Sequence, residues 1–217
     1  MNEQMTGYLE KHLSDRVDWV KELELKAKEN RVPIMDSVSI DFMLNQIKMK
    51  QPKRILEVGT AIGYSALRML EANPSAEIIT IEKDEQRYRE ALENIKKLDK
   101  SEQISVHFGD ALDVIQSLAV KNETFDFIFV DAAKGKYQEF FDLVHPLLTK
   151  GGLLVTDNVL FRGYVVNPEL APKRYKNMVK KIQNYNAFLS SHPAYTTSIL
   201  PIGDGVMISY KMSERGL

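Results

Sequence analysis

Apolar positions in the first thirty residues recur at helical spacing. Leu9, Leu13, Val17 and Val20 fall on one stripe, which predicts a helix that Asn30 stops. Pro33 forces an extended step. Asp36 or Ser37 then caps a second helix that buries Ile40, Met43, Leu44 and Ile47. From Pro52 the pattern changes. Short apolar runs at 54–58, 77–81, 104–108, 125–130 and 153–156 alternate with helical stretches at 65–72, 84–98, 111–118 and 137–148. That alternation predicts βαβ units and a parallel sheet. The run Phe125-Asp126-Phe127-Ile128-Phe129-Val130 is apolar nearly throughout, as a strand covered on both faces requires. After a helix at 173–190, strands at 195–200 and 206–211 are joined through Pro201-Ile202-Gly203-Asp204-Gly205, where Asp204-Gly205 signals a hairpin. The expected architecture is α/β: a seven-stranded, mostly parallel sheet with helices on both faces and an antiparallel C-terminal hairpin. Residues 1–50 form a helical cover on a single domain spanning 1–217.

Composition narrows the chemistry. The 217 residues carry 29 Lys+Arg against 30 Asp+Glu, a net charge of −1, which excludes a globally basic nucleic-acid binder but not a local basic patch. Such a patch lies between Phe161 and Tyr185: Arg162, Lys173, Arg174, Lys176, Lys180 and Lys181 face only Glu169. It could hold phosphates, or be the wet face of a helix whose dry face carries Tyr175, Met178, Ile182 and Tyr185. With no cysteine, disulfides, thiolate metal sites and cysteine nucleophiles are excluded. The start Met1-Asn2-Glu3-Gln4-Met5 shows no leader, and no apolar stretch approaches a membrane span, so the expected location is cytoplasmic, with no membrane partner.

The first strand–helix junction reads Glu57-Val58-Gly59-Thr60-Ala61-Ile62-Gly63-Tyr64-Ser65. In parallel sheets ligands bind beyond the carboxyl ends of strands, and Gly59 and Gly63 would let the backbone approach one, or simply make a tight turn. Glu82, ending the second strand, adds a carboxylate able to accept both hydroxyls of a ribose. The spacing is G-x-x-x-G rather than the G-x-G-x-x-G of dinucleotide loops, which speaks against an NAD-dependent oxidoreductase. Glu57 beside the loop suits a cofactor with a cationic amino-acid end, such as S-adenosylmethionine.

Two oxygen-rich stretches, Asp131-Ala132-Ala133-Lys134 and Asp157-Asn158, end the fourth and fifth strands. Asp131, Asp157 and Asn158 offer three hard ligands suited to an octahedral cation such as Mg²⁺, although Asp and Asn also cap helices and turns at strand ends. The four histidines are scattered.

The 57–65 motif resembles that of the cation-dependent O-methyltransferases of catechol and caffeoyl-CoA type, and the resemblance runs from about Pro33 to the C-terminus. It implies a Rossmann-like methyltransferase domain. It also implies that Ser65 holds the cofactor's carboxylate, Glu82 its ribose, and Gly109-Asp110-Ala111 its adenine side, with Glu57, Gly59, Gly63 and Asp131 completing the cofactor site. Asp131, Asp157 and Asn158 would be the metal ligands, and Asp131 and Lys134 the catalytic pair, Lys134 acting as base or stabilising the acceptor anion. A homodimer is implied as well. An acceptor that chelates the metal needs two neighbouring oxygens. Catechols have them, and so does 5-hydroxyuridine. Within the family the chain resembles most the bacterial branch that methylates 5-hydroxyuridine at the tRNA wobble position. Tyr64, Phe161 and Tyr164 could stack on a splayed base, and Arg162, Lys173, Arg174, Lys180 and Lys181 could grip the anticodon loop. A small vicinal-oxygen acceptor and a non-catalytic cofactor-binding module are the other readings.

Overall fold

The computed structural model describes residues 3–212. Met1 and Asn2 of the stretch examined for a leader, and the part of the 1–217 span beyond 212, lie outside the described residues. Helices α1 (Glu3–Glu10), α2 (Asp18–Glu29) and α3 (Ser37–Lys50) precede β1 (Arg54–Val58). There follow α4 (Tyr64–Ala72), β2 (Glu77–Glu82), α5 (Glu85–Lys97), β3 (Ile104–Phe108), α6 (Ala111–Val120), β4 (Phe125–Val130), α7 (Tyr137–Val144), β5 (Leu148–Thr156), α8 (Lys176–Ser190), β6 (Tyr195–Leu200) and β7 (Val206–Lys211). The sheet order is β3-β2-β1-β4-β5-β7-β6. β1 to β5 run parallel, and β7 lies antiparallel to both β5 and β6. The order reverses between β1 and β4, so the crevice beyond their carboxyl ends is the natural ligand site.

Strand alternation distributes the core. Ile128 and Val130 of β4 pack with α6, α7 and α8 on one face, while Phe127 and Phe129 pack with α2, α3 and α4 on the other. Burying each such side chain contributes about 1.5–3 kcal/mol. This double coverage is why β4 has no polar face. α3 starts as expected: Asp36 accepts from the amides of Val38 and Ser39 at 3.1 and 3.0 Å.

The first helix is broken in two. Val17 is extended and exposed, Leu9 and Leu13 are half-buried, and only Val20 of the four reaches the core. Ser14 and Asp15 favour local turns over a continuous helix, and with Leu9 and Leu13 only half-buried the gain from packing there does not outweigh that preference. The helix expected at 137–148 ends at Val144, and the last parallel strand begins at Leu148 instead of 153. The Gly151-Gly152 pair lies inside β5 next to a register shift at Phe125/Phe127, with Gly151 at φ +75°. The C-terminal hairpin has the expected strands, 195–200 and 206–211. Residues 201–205 form the connection, in which Gly205 N–H donates to Ile202 at 2.8 Å and Gly203 takes positive φ.

Candidate active site at the carboxyl edge of the sheet

Beyond β1 the chain passes so close to β4 that a Cβ on Gly59 would stand 2.1 Å from the Asp131 carbonyl oxygen. Gly63 takes φ +82° as the N-cap of α4 and lies against Ala91 of α5. Gly59 is therefore demanded by chain packing and Gly63 by its positive φ, constraints separate from any ligand. Glu57 is fully buried. Ser65 Oγ donates to one of its oxygens and Thr80 Oγ1 to the other at 2.5 Å, with Thr60 Oγ1 a further 2.6 Å from Thr80 Oγ1. Burial pushes its carboxyl up to about 8, with the Ser65 and Thr80 hydrogen bonds pulling back. The Ser65 hydroxyl is thus engaged with Glu57, and the first turn of α4 offers backbone amides for an anion.

Glu82 closes the loop. Its Oε2 accepts from Ala61 N at 2.8 Å, and its Oε1 accepts from Lys83 N and Asp84 N at 2.9 Å each. Three of the roughly four acceptor positions of a carboxylate are in use, leaving capacity for one ribose hydroxyl rather than two. Gly109 donates to the Glu82 carbonyl at 2.9 Å, which brings the Gly109-Asp110-Ala111 turn beside it. Asp110 caps α6 by accepting from Leu112 N at 2.9 Å.

The ends of β4 and β5 bring the polar set together. Asp131 N–H donates to Val58 and Asp157 N–H to Val130, at 3.0 and 3.1 Å. Lys134, in a 3-10 turn (Lys134–Lys136), donates from Nζ to Asn158 Oδ1. Asn158 sits at φ +57°, a conformation asparagine tolerates better than most residues, and its backbone N–H donates to Asp157 Oδ1 at 2.7 Å. Asp131 and Asp157 both resist ionisation. Burial is the main cause for each; for Asp157 repulsion by Asp131 adds to it, and the Lys134 charge opposes it in both. Two mutually repelling carboxylates and an amide oxygen that accepts from Lys134 are hard donors whose chemistry fits a divalent cation. Among the described residues no three His, Cys, Asp or Glu side chains cluster in a way that could hold a metal by themselves.

Beyond β5, Phe161 is buried and meets Tyr164 and Tyr175 edge-on at ring distances of 6.0 and 5.3 Å. Tyr164 and Tyr175, half-buried, are stacked on each other, and the Arg174 guanidinium lies 4.6 Å over the Tyr175 ring. Arg162, Lys173, Arg174, Lys180 and Lys181 are all exposed. Lys181 Nζ donates to Gly135 O at 3.2 Å, which brings α8's basic face next to the Lys134 turn. Tyr64 departs from expectation. It is 2% exposed, packed among α2, α3 and α4, with its hydroxyl donating to Glu24 at 2.7 Å, and it has no face free for a base.

The sequence reading missed the residues that hold this site in shape. Tyr137 donates from its hydroxyl to the Asp157 carbonyl at 2.7 Å, and Asn186 Nδ2 donates to Val159 O at 2.9 Å. Thr80 was legible as a hydroxyl inside an apolar strand; Tyr137 and Asn186 carry no such local signal.

Residues 10–212 match the profile of a family described as O-methyltransferase. A caffeoyl-CoA O-methyltransferase of Arabidopsis thaliana is 33% identical over 181 residues, 79% of this chain and 69% of that protein. A catechol O-methyltransferase of Niastella koreensis is 29% identical over 208 residues, 92% of each. Among solved structures, a Staphylococcus aureus protein provisionally assigned as a caffeoyl-CoA O-methyltransferase superposes with a TM-score of 0.85 at 35% identity, covering 96% of this chain and 98% of its own. An SAH-bound methyltransferase of Podospora anserina gives 0.86 at 28% identity, covering 98% and 97%.

Proposed function

This chain belongs to the O-methyltransferase family, and we propose that it moves a methyl group from S-adenosylmethionine, with Mg²⁺ bound, to the 5-hydroxyl of 5-hydroxyuridine at the tRNA wobble position. The observation that carries the reaction is the convergence of Asp131, Lys134, Asp157 and Asn158 beyond β4 and β5, beside the Glu57–Glu82 crevice. In the crevice, Glu82 keeps one acceptor position for a ribose hydroxyl. The amides opening α4 face the amino acid's carboxylate, and Glu57 serves the site from beneath by fixing Ser65. Gly109-Asp110-Ala111 borders the adenine. Asp131, Asp157 and Asn158 would hold the cation, which when bound lowers the pKa of an acceptor hydroxyl and fixes its position. Lys134, with Nζ at Asn158 Oδ1, takes up the hydroxyl's proton or stabilises the anion as the oxygen displaces the methyl from sulfur. The carbon–sulfur bond breaks as the carbon–oxygen bond forms, leaving S-adenosylhomocysteine. The working enzyme is taken to be cytoplasmic and homodimeric.

The tRNA acceptor is supported by the exposed basic face from Arg162 to Lys181, which adjoins the Lys134 turn, and by the half-buried pair Tyr164 and Tyr175, the latter with Arg174 over its ring, as a wall for a splayed base. A small catechol or caffeoyl-type acceptor is the second reading, favoured by the named relatives. The family match sets aside the oxidoreductase reading. The test compares methylation of hydroxylated tRNA and of a simple catechol, each at two salt concentrations. The tRNA rate should be the higher and should fall with salt, each phosphate contact adding roughly −0.7 to the slope of log affinity on log salt. Neutralising Arg174 and Lys181 together should flatten that slope. A catechol rate far above the tRNA rate, with no salt effect on either, refutes the RNA acceptor and leaves the methyltransferase standing.

A further inference from the structure

After β5 the backbone enters a conformation that side chains rarely adopt. φ is +57° at Asn158, +36° at Phe161, +55° at Arg162 and +74° at Gly163. Nothing local favours this at Phe161 or Arg162, where a Cβ crowds the backbone. The partners come from some forty residues later. In the β6–β7 turn the Gly205 carbonyl accepts from Val159 N at 2.9 Å. The Asp204 carbonyl accepts from Leu160 N at 3.0 Å and Phe161 N at 3.1 Å, and the Asp204 carboxylate accepts from Arg162 N. One turn thus takes up four consecutive amides. The fit leaves no slack. A Cβ on Gly205 would stand 2.5 Å from Leu160 Cγ, and one on Gly203 would stand 2.0 Å from Asp36 Oδ2. The turn is therefore wedged between the cap of α3 and the loop, while Asn186 and Tyr137 hold the loop from its other side.

We infer that Asp204 is a positioning residue for methyl transfer: its carboxylate completes the clasp that keeps Asn158 at the cation site and Phe161 beneath Tyr164 and Tyr175 at the acceptor wall. The inference rests on the proposed cation role of Asn158. Groups that orient ligands without touching the metal commonly change metal affinity by about 10–100-fold when removed.

The test uses Asp204→Ala and Asp204→Asn, the latter keeping an oxygen that can accept from Arg162 N. Three quantities are read in the full chain: Mn²⁺ affinity by electron paramagnetic resonance with S-adenosylhomocysteine present, amide hydrogen exchange at 160–162, and S-adenosylhomocysteine affinity. Asp204→Ala should weaken Mn²⁺ binding by about tenfold and speed exchange of the Arg162 amide, while Asp204→Asn stays near wild type. S-adenosylhomocysteine affinity should hold in both. If Asp204→Ala does not fold, Asp204→Ser, with a shorter side chain and a single oxygen, takes its place. A lower melting temperature with unchanged Mn²⁺ affinity and exchange would show a merely structural residue and overturn the inference. Equal losses in Asp204→Ala and Asp204→Asn would overturn it too, since charge rather than the accepting oxygen would then matter. Wild-type protein that takes up no Mn²⁺ refutes the cation reading itself, a result independent of residue 204, and removes the inference with it.

Discussion

Replacing Glu57 with glutamine should flatten the pH dependence of stability. The carboxyl is enclosed, and its pKa rises from an ordinary 4.5 to about 8 because burial penalises the charged form more than the Ser65 and Thr80 hydrogen bonds favour it. Between those two values the folded state binds more protons at this site than the unfolded chain does. Unfolding free energy therefore falls as pH rises. The site costs nothing below the unfolded pKa, and its full penalty is reached above about 8. Each pKa unit corresponds to about 1.4 kcal/mol, so the ceiling is about 5 kcal/mol, reduced by whatever the site relaxes. A neutral amide keeps an acceptor for one hydroxyl, and the other can turn to accept from its NH₂, so Glu57→Gln should not lose the packing. Urea unfolding of both proteins in chelator, at intervals from pH 5 to 9, reads the group together with its coupling to Asp131, whose charge raises the Glu57 pKa. The wild type should lose at least about 2 kcal/mol more than Glu57→Gln over that range. Parallel profiles would refute the assignment of a buried, proton-holding Glu57.

Glu82→Ala should weaken S-adenosylhomocysteine binding by about 1–3 kcal/mol in calorimetry, since a ribose hydroxyl loses a charged acceptor and Ala61, Lys83 and Asp84 lose theirs; unchanged affinity would move the ribose elsewhere. Chelator should abolish methyl transfer and Mg²⁺ restore it, with Asp157→Ala and Asn158→Ala behaving like the chelated protein while S-adenosylhomocysteine affinity largely persists. Full turnover in chelator would sink the cation site. Gly59→Ala should fail to fold, or lose more than about 4 kcal/mol in urea unfolding, because its Cβ meets the Asp131 carbonyl at 2.1 Å with backbone on both sides; a stable variant would mean that β1 and β4 part more easily than their pairing suggests.

Periodicity alone sufficed for the alternation of strands and helices, because two-sided coverage leaves its mark on every residue of a strand such as β4, and a capped helix such as α3 announces its start with Asp36. It also placed Glu82, Asp131 and Asp157 at the carboxyl ends of β2, β4 and β5, where the structure has them. It failed where local preference and tertiary packing disagree. The stripe from Leu9 to Val20 is interrupted between α1 and α2 and only Val20 reaches the core, while Gly151 and Gly152 were carried into β5 by the pairing of Leu148 and Leu153 on either side of them. Tyr64 lies one residue from Ser65, and only the packing of α2 against α4 decides that its ring is sealed. The reason for Gly59 likewise belongs to a contact with Asp131, distant in sequence. The clasp of Asp204 on residues 160–162 is of the same kind: the sequence determines a turn at Asp204-Gly205, but which amides that turn satisfies depends on β7 entering the sheet antiparallel beside β5, a pairing made across some fifty residues of chain.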